Sequence, residues 1–166
     1  MIFKSLILCF CLIIDVTLPF YANGFYFRPD LSTLFLLYLA LRCPFVETIL
    51  MLLIFIILGH PFTGLSYMSI FTAYLIMLFL VYRVRGNMFA EAYLTYAVWV
   101  FIFSWTLKFL MGIGLYGRHV LTASSNGVVE HSLNSLLMAT MTVPFFMTLD
   151  RIFDDKSESL PKNLFG

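Results

Sequence analysis

Apolar residues fill this chain in long runs, and short polar breaks cut it into six. The first run extends from Ile2 to Tyr21 and is broken only by Lys4 and Asp15. At 1.5 Å rise per residue it is long enough to span a bilayer, and we expect a retained first helix. A signal peptide is the competing reading, but Phe20 and Ala22 do not form a small-x-small cleavage site. Asn23 and Gly24 make a turn. Pro29 disfavours helix at Arg28, and Asp30 is placed to cap a helix starting at Leu31. The next two runs, 31–42 and 45–58, meet at Arg42-Cys43-Pro44. Each is shorter than the roughly 20 residues of a full span. Two short helices are expected here, because Arg42 and Glu47 at the centre of one span would each cost about 2.5–3.5 kcal/mol.

Gly59-His60-Pro61-Phe62-Thr63-Gly64 breaks the chain again. Further spans are expected over about 65–82, 92–111 and 131–149. Between them lie the basic turn Arg83-Val84-Arg85-Gly86-Asn87 and a polar loop from Arg118 to Glu130. The last span opens with Ser132, Asn134 and Ser135, so that face should be buried against other helices. Residues 1–152 then form a single transmembrane helical domain, and 153–166 a charged cytoplasmic tail. The expected fold class is all-α, a polytopic membrane bundle of about six helices.

Composition supports this pattern. Of 166 residues, 61% are hydrophobic and 11% charged, and the mean hydropathy is +0.95. A soluble domain carries about 25% charged residues, and a chain this small could not hide so much apolar surface from water. Membrane lipid is the solvent the sequence asks for. A net charge of +1 gives no electrostatic basis for a nucleic-acid partner. Cys9, Cys11 and Cys43 read as small apolar fillers, since an odd count within apolar runs makes no disulfide framework.

Charge also sets an orientation. With six spans, Lys4, Arg42, Arg83, Arg85, Arg151, Lys156 and Lys162 fall on the side of the termini, and Arg28, Lys108 and Arg118 on the other. Cationic loops stay in the cytoplasm, so both termini are expected there, with the chain multi-pass in an inner membrane. Arg83 and Arg85 serve that topology first, and could also meet a cytoplasmic partner or anionic lipid.

Few residues suggest chemistry. Asp15 and Lys108 are a candidate intramembrane polar pair, with Arg28 a second possible partner for the acid. The structural reading of Asp15 is preferred to a proton relay, because no second membrane acid accompanies it. Tyr93, Tyr96, Trp99 and Phe103 recur every three or four residues and make either a partner-binding face or ordinary packing. His60, His119 and His131 stand at no metal-ligand spacing, and no phosphate loop or nucleophile elbow is present. No catalytic, cofactor or metal site is expected, and the chain reads as a non-enzyme.

Three segments together carry a family resemblance. Phe27-Arg28-Pro29-Asp30-Leu31 leads into Leu34-Phe35-Leu36-Leu37-Tyr38-Leu39-Ala40-Leu41-Arg42. The break from Gly59 to Gly64 precedes Ala73-Tyr74-Leu75. Asn134-Ser135-Leu136-Leu137 is followed by Pro144 and by Leu149-Asp150-Arg151. In this order the chain resembles the rod-shape-determining membrane protein MreD family. It departs at Ile57-Leu58-Gly59-His60, where that family often has an acid. The resemblance implies a non-enzymatic scaffold of the cell-wall elongation machinery, supporting lateral peptidoglycan synthesis. Its implied partners are an MreC-like bitopic protein and, through it, RodA, a penicillin-binding transpeptidase and MreB. The implied fold is similar to the substrate-binding subunit of energy-coupling-factor transporters. The alternative function is therefore vitamin binding for a transporter, with a pocket built from Arg118, His119, Asn126 and Glu130.

Overall fold

The computed structural model describes residues 2–18, 20–22, 25–27, 30–59, 67–85, 93–116 and 125–154. Six helices carry the architecture: α1 (Ile2–Thr17), α2 (Leu31–Arg42), α3 (Phe45–Gly59), α4 (Tyr67–Arg85), α5 (Tyr93–Tyr116) and α6 (Ser125–Asp154). Between α1 and α2 lies a small antiparallel hairpin of β1 (Phe20–Ala22) and β2 (Phe25–Phe27).

The hairpin shortens the first expected span. Helix α1 ends at Thr17 rather than Tyr21, and the Thr17 hydroxyl donates back to the Ile13 carbonyl at 2.8 Å. Phe20 pairs with Phe27, Tyr21 with Tyr26 and Ala22 with Phe25. The local reason is legible in the residues. Aromatic side chains favour strands, and Asn-Gly between two such runs is a strong hairpin signal. Strand β2 packs against α6.

Helix α2 is the centre of the bundle. Ser32 through Ala40 are all buried, and α2 touches α1, α3, α4, α5 and α6. A helix apolar on every side belongs inside, and the run Leu34-Phe35-Leu36-Leu37-Tyr38-Leu39-Ala40 fits that rule. Its 12 residues span about 18 Å, well short of a hydrocarbon core. The break into α3 falls where the sequence places it. Cys43 is extended at φ −109°, ψ 164°, as the residue before a proline prefers, and Pro44 has no N–H to continue the ladder.

The outer helices each bury one stripe. Helix α4 turns Ile70, Ala73, Tyr74, Met77, Leu78 and Val81 inward. Helix α5 buries Tyr96, Val100, Phe103 and Leu107, and packs most extensively against α6. Asn134 and Ser135 of α6 are buried, as their polarity within an apolar helix requires. Ser135 lies 3.3 Å from Ser104 of α5, whose hydroxyl also approaches the Met138 sulfur at 3.3 Å. Helix α6 is longer than expected, beginning at Ser125 and reaching Asp154, with Pro144 inside it and exposed.

Among the described residues, two helical segments are long and apolar enough to cross a membrane: Tyr67–Arg85 and His131–Phe153.

Candidate functional site

Polar groups concentrate at the two ends of α2. At its N-terminus the acid comes from another helix. Asp15 of α1 is 1% exposed. Its carboxyl accepts the backbone N–H of Leu31 at 2.7 Å and of Ser32 at 2.9 Å, and it also accepts the Ser32 hydroxyl. The first N–H groups of a helix have no partner within it, and Asp15 supplies one. Asp30 occupies the N-cap position but makes no side-chain capping bond, which corrects the expected local cap. Lys108, the candidate partner of Asp15, makes none of these bonds. Both carboxyl oxygens serve α2, and Lys108 stands half-buried on α5. At the next residue of α2, the Thr33 hydroxyl meets the Tyr74 hydroxyl of α4 at 2.6 Å.

At the C-terminus of α2, several helices close around the Arg42-Cys43-Pro44 turn. Arg85 of α4 donates to the carbonyls of Cys43 at 2.9 Å and Ala40 at 3.3 Å. The Tyr82 hydroxyl donates to the same Cys43 carbonyl at 2.7 Å. A cation on the last carbonyls complements the helix dipole, as an acid does at the first N–H groups. Arg42 pairs with Asp150 of α6 at 3.0 Å, and Tyr38 donates to the other oxygen of that carboxylate at 2.8 Å. The Arg42 guanidinium also lies 5.8 Å from the centre of the Tyr96 ring.

Lys4 of α1 completes this end. It pairs with Glu47 of α3 at 2.8 Å and donates to the Cys43 sulfur at 3.2 Å. Burial pushes the Cys43 thiol above its ordinary range, and Lys4 opposes that shift. The rings of Phe3 and Phe153 meet edge to face at 6.0 Å, so the start of α1 and the end of α6 share this end of the bundle. Arg83 and Arg151 belong to the same end through their neighbours Arg85 and Asp150, and both are exposed.

The flanks are apolar. Leu6, Phe10 and Ile13 of α1, Val46 and Ile57 of α3, Met68 and Phe79 of α4, and Val98 and Leu136 of α5 and α6 all stand open. Two grooves interrupt them. One, of 310 Å³, is lined by Cys9, Leu12, Ile13, Val16, Thr17 and Leu58. The other, of 370 Å³, lies between α5 and α6 around Phe101 and Val143. Neither holds a charged side chain that could orient a water-soluble ligand.

On α5, Tyr96 and Phe103 of the aromatic stripe point inward, as in the packing alternative that the sequence leaves open beside a partner face. Tyr96 and Phe103 are 5% and 4% exposed, and Trp99 stacks on Phe103 at 5.5 Å. The stripe that α5 does present outward is Val98, Ile102, Trp105 and Phe109. The two stripes share the same spacing, so periodicity alone could not choose between them.

The motif residues distribute over these features. Asp30 and Leu31 open α2, Gly59 ends α3 beside Leu12, and Asp150 and Arg151 lie at the basic end. Asn134 is buried and Pro144 is exposed on α6. Arg28, Pro29, Gly64, Arg118 and His119 lie outside the described residues, as do the side chains of Tyr93, Asn126 and Glu130. The three cysteines are free thiols. Among the described residues no group of three or more His, Cys, Asp or Glu is placed to hold a metal ion.

No protein-family model matches the chain, and neither does any curated protein or solved structure.

Proposed function

We propose that the chain is a polytopic membrane protein of the bacterial inner membrane that acts as a non-enzymatic scaffold in cell-wall elongation, in the manner of the MreD family. The observation that carries this reading joins two of the motif segments. Tyr38 and Arg42, from the Leu34–Arg42 stretch, bind the carboxylate of Asp150, from the Leu149-Asp150-Arg151 stretch. Residues 108 or more positions apart in sequence form one cluster, so the segments that carry the resemblance act together in the fold.

The membrane part of the reading is supported by the apolar flanks. Large apolar side chains stand open on the flanks, while Asp15, Asn134, Ser104 and Ser135 are buried. Lipid tails reward that arrangement and water does not. All six helices then belong to the membrane domain, including the short α2 and α3, whose irregular ends are covered by neighbouring helices. The end holding Lys4, Arg42, Arg83, Arg85 and Arg151 faces the cytoplasm, which puts both termini there.

A scaffold needs stable lateral and cytoplasmic surfaces rather than reactive groups. An MreC-like bitopic protein is the expected partner, and RodA, a penicillin-binding transpeptidase and MreB are expected in the same assembly. Depletion of the protein followed by microscopy tests the function. Loss of rod shape, with co-purification of an MreC-like protein from membranes, supports it. Unchanged shape with a new vitamin requirement refutes it and favours a transporter subunit.

A further inference from the structure

The cations at the basic end divide into two groups. Lys4, Arg42 and Arg85 are committed internally, to Glu47, to Asp150 and to the carbonyls that end α2. Arg83 and Arg151 are exposed and make no ion pair or hydrogen bond among the described residues. Each stands one turn beyond an open apolar residue on its own helix. Phe79, four residues before Arg83, is 65% exposed, and Met147, four residues before Arg151, is 40% exposed. Residues four apart on a helix share a face. Leu80, three residues before Arg83, extends the open surface on α4.

From this division we infer that Arg83 and Arg151 bind the phosphate headgroups of anionic phospholipids, while Phe79, Leu80 and Met147 contact the acyl chains of the same molecules. The inference rests on the membrane reading above. Charge complementarity selects the occupant. A free guanidinium matches a phosphate with two parallel hydrogen bonds, and a zwitterionic headgroup offers no net attraction. The apolar side chain below each arginine selects a lipid over a soluble phosphate. Arg85, which the sequence sets beside Arg83 as an equal, has no part in this surface because its guanidinium already serves the Cys43 carbonyl.

Native mass spectrometry of the detergent-solubilised protein, offered phosphatidylglycerol and phosphatidylcholine in equal amounts, tests the inference. Wild type should retain phosphatidylglycerol in preference. Arg83→Gln and Arg151→Gln should each weaken that preference roughly fivefold, and the double variant should lose it. Arg83→Lys should keep most of it, and Arg118→Gln, which the six-span reading of the sequence assigns to the other membrane face, should leave it unchanged. Equal retention of the two lipids by wild type, or an undiminished preference in the double variant, overturns the inference. Displacement of the lipid by an equal concentration of inorganic phosphate would assign the arginines to a soluble anion and overturn it as well. Failure of the membrane reading shows itself separately, as release of the full-length chain into the aqueous phase when membranes are washed with alkaline carbonate.

Discussion

Removing the carboxyl of Asp15 should destabilise the bundle more than any other single polar deletion on α1. In the folded chain this group is the partner of two backbone N–H groups, those of Leu31 and Ser32, at 2.7 and 2.9 Å. At 1% exposure, water cannot replace it without entering the core. An unsatisfied buried donor costs about 1–3 kcal/mol. Two of them in Asp15→Ala predict a loss of about 2–6 kcal/mol, before the lost Ser32 hydroxyl bond and the cavity are added. Asp15→Asn keeps one acceptor oxygen, turns an amide NH2 toward the other donor, and should lose about half as much. Asp30→Ala is the informative comparison. Asp30 holds the N-cap position, where sequence reasoning puts the cap, yet its side chain does not cap. Equilibrium unfolding in mixed micelles, with increasing dodecyl sulfate and helical circular dichroism as the readout, measures all three. A loss below about 1 kcal/mol for Asp15→Ala, or a larger loss for Asp30→Ala, would refute the cross-helix cap.

Leu36→Ala, at 0% exposure on the central helix, should cost about 2–5 kcal/mol in the same assay, and a near-neutral result would show that α2 is not the core. A double-mutant cycle of Arg42→Gln and Asp150→Asn should give a coupling of about 1 kcal/mol or less, because the Arg42 side chain is 39% exposed and its pair is partly screened. Cys9 lines an open groove, whereas Cys11 and Cys43 are buried. A membrane-permeant maleimide should therefore label Cys9 first and the other two only after unfolding. A reporter fused after Arg85 should be active in the cytoplasmic format and silent in the periplasmic one, and the reverse would invert the layout.

Much of the architecture is written locally. Long apolar runs, the Pro44 break and the glycine-rich break from Gly59 to Gly64 divide the chain at six helices because each rule acts within a few residues: proline removes an N–H, and a run of apolar side chains has to leave water. Loop cations are legible for the same reason, since charged side chains interrupt an apolar run wherever the chain later goes. The Asn23-Gly24 hairpin was also within reach of local reading, but the apolar run through Tyr21 masks it as helix. What only the tertiary structure decided is partnership. Asp15 and α2 are 16 and 17 positions apart at their bonds, Tyr38 and Asp150 are 112 apart, and no spacing rule connects them. The same holds for direction. Tyr96 and Phe103 face inward while Ile102 and Trp105 face outward, because a helix apolar on all sides takes its orientation from its neighbours rather than from its own sequence.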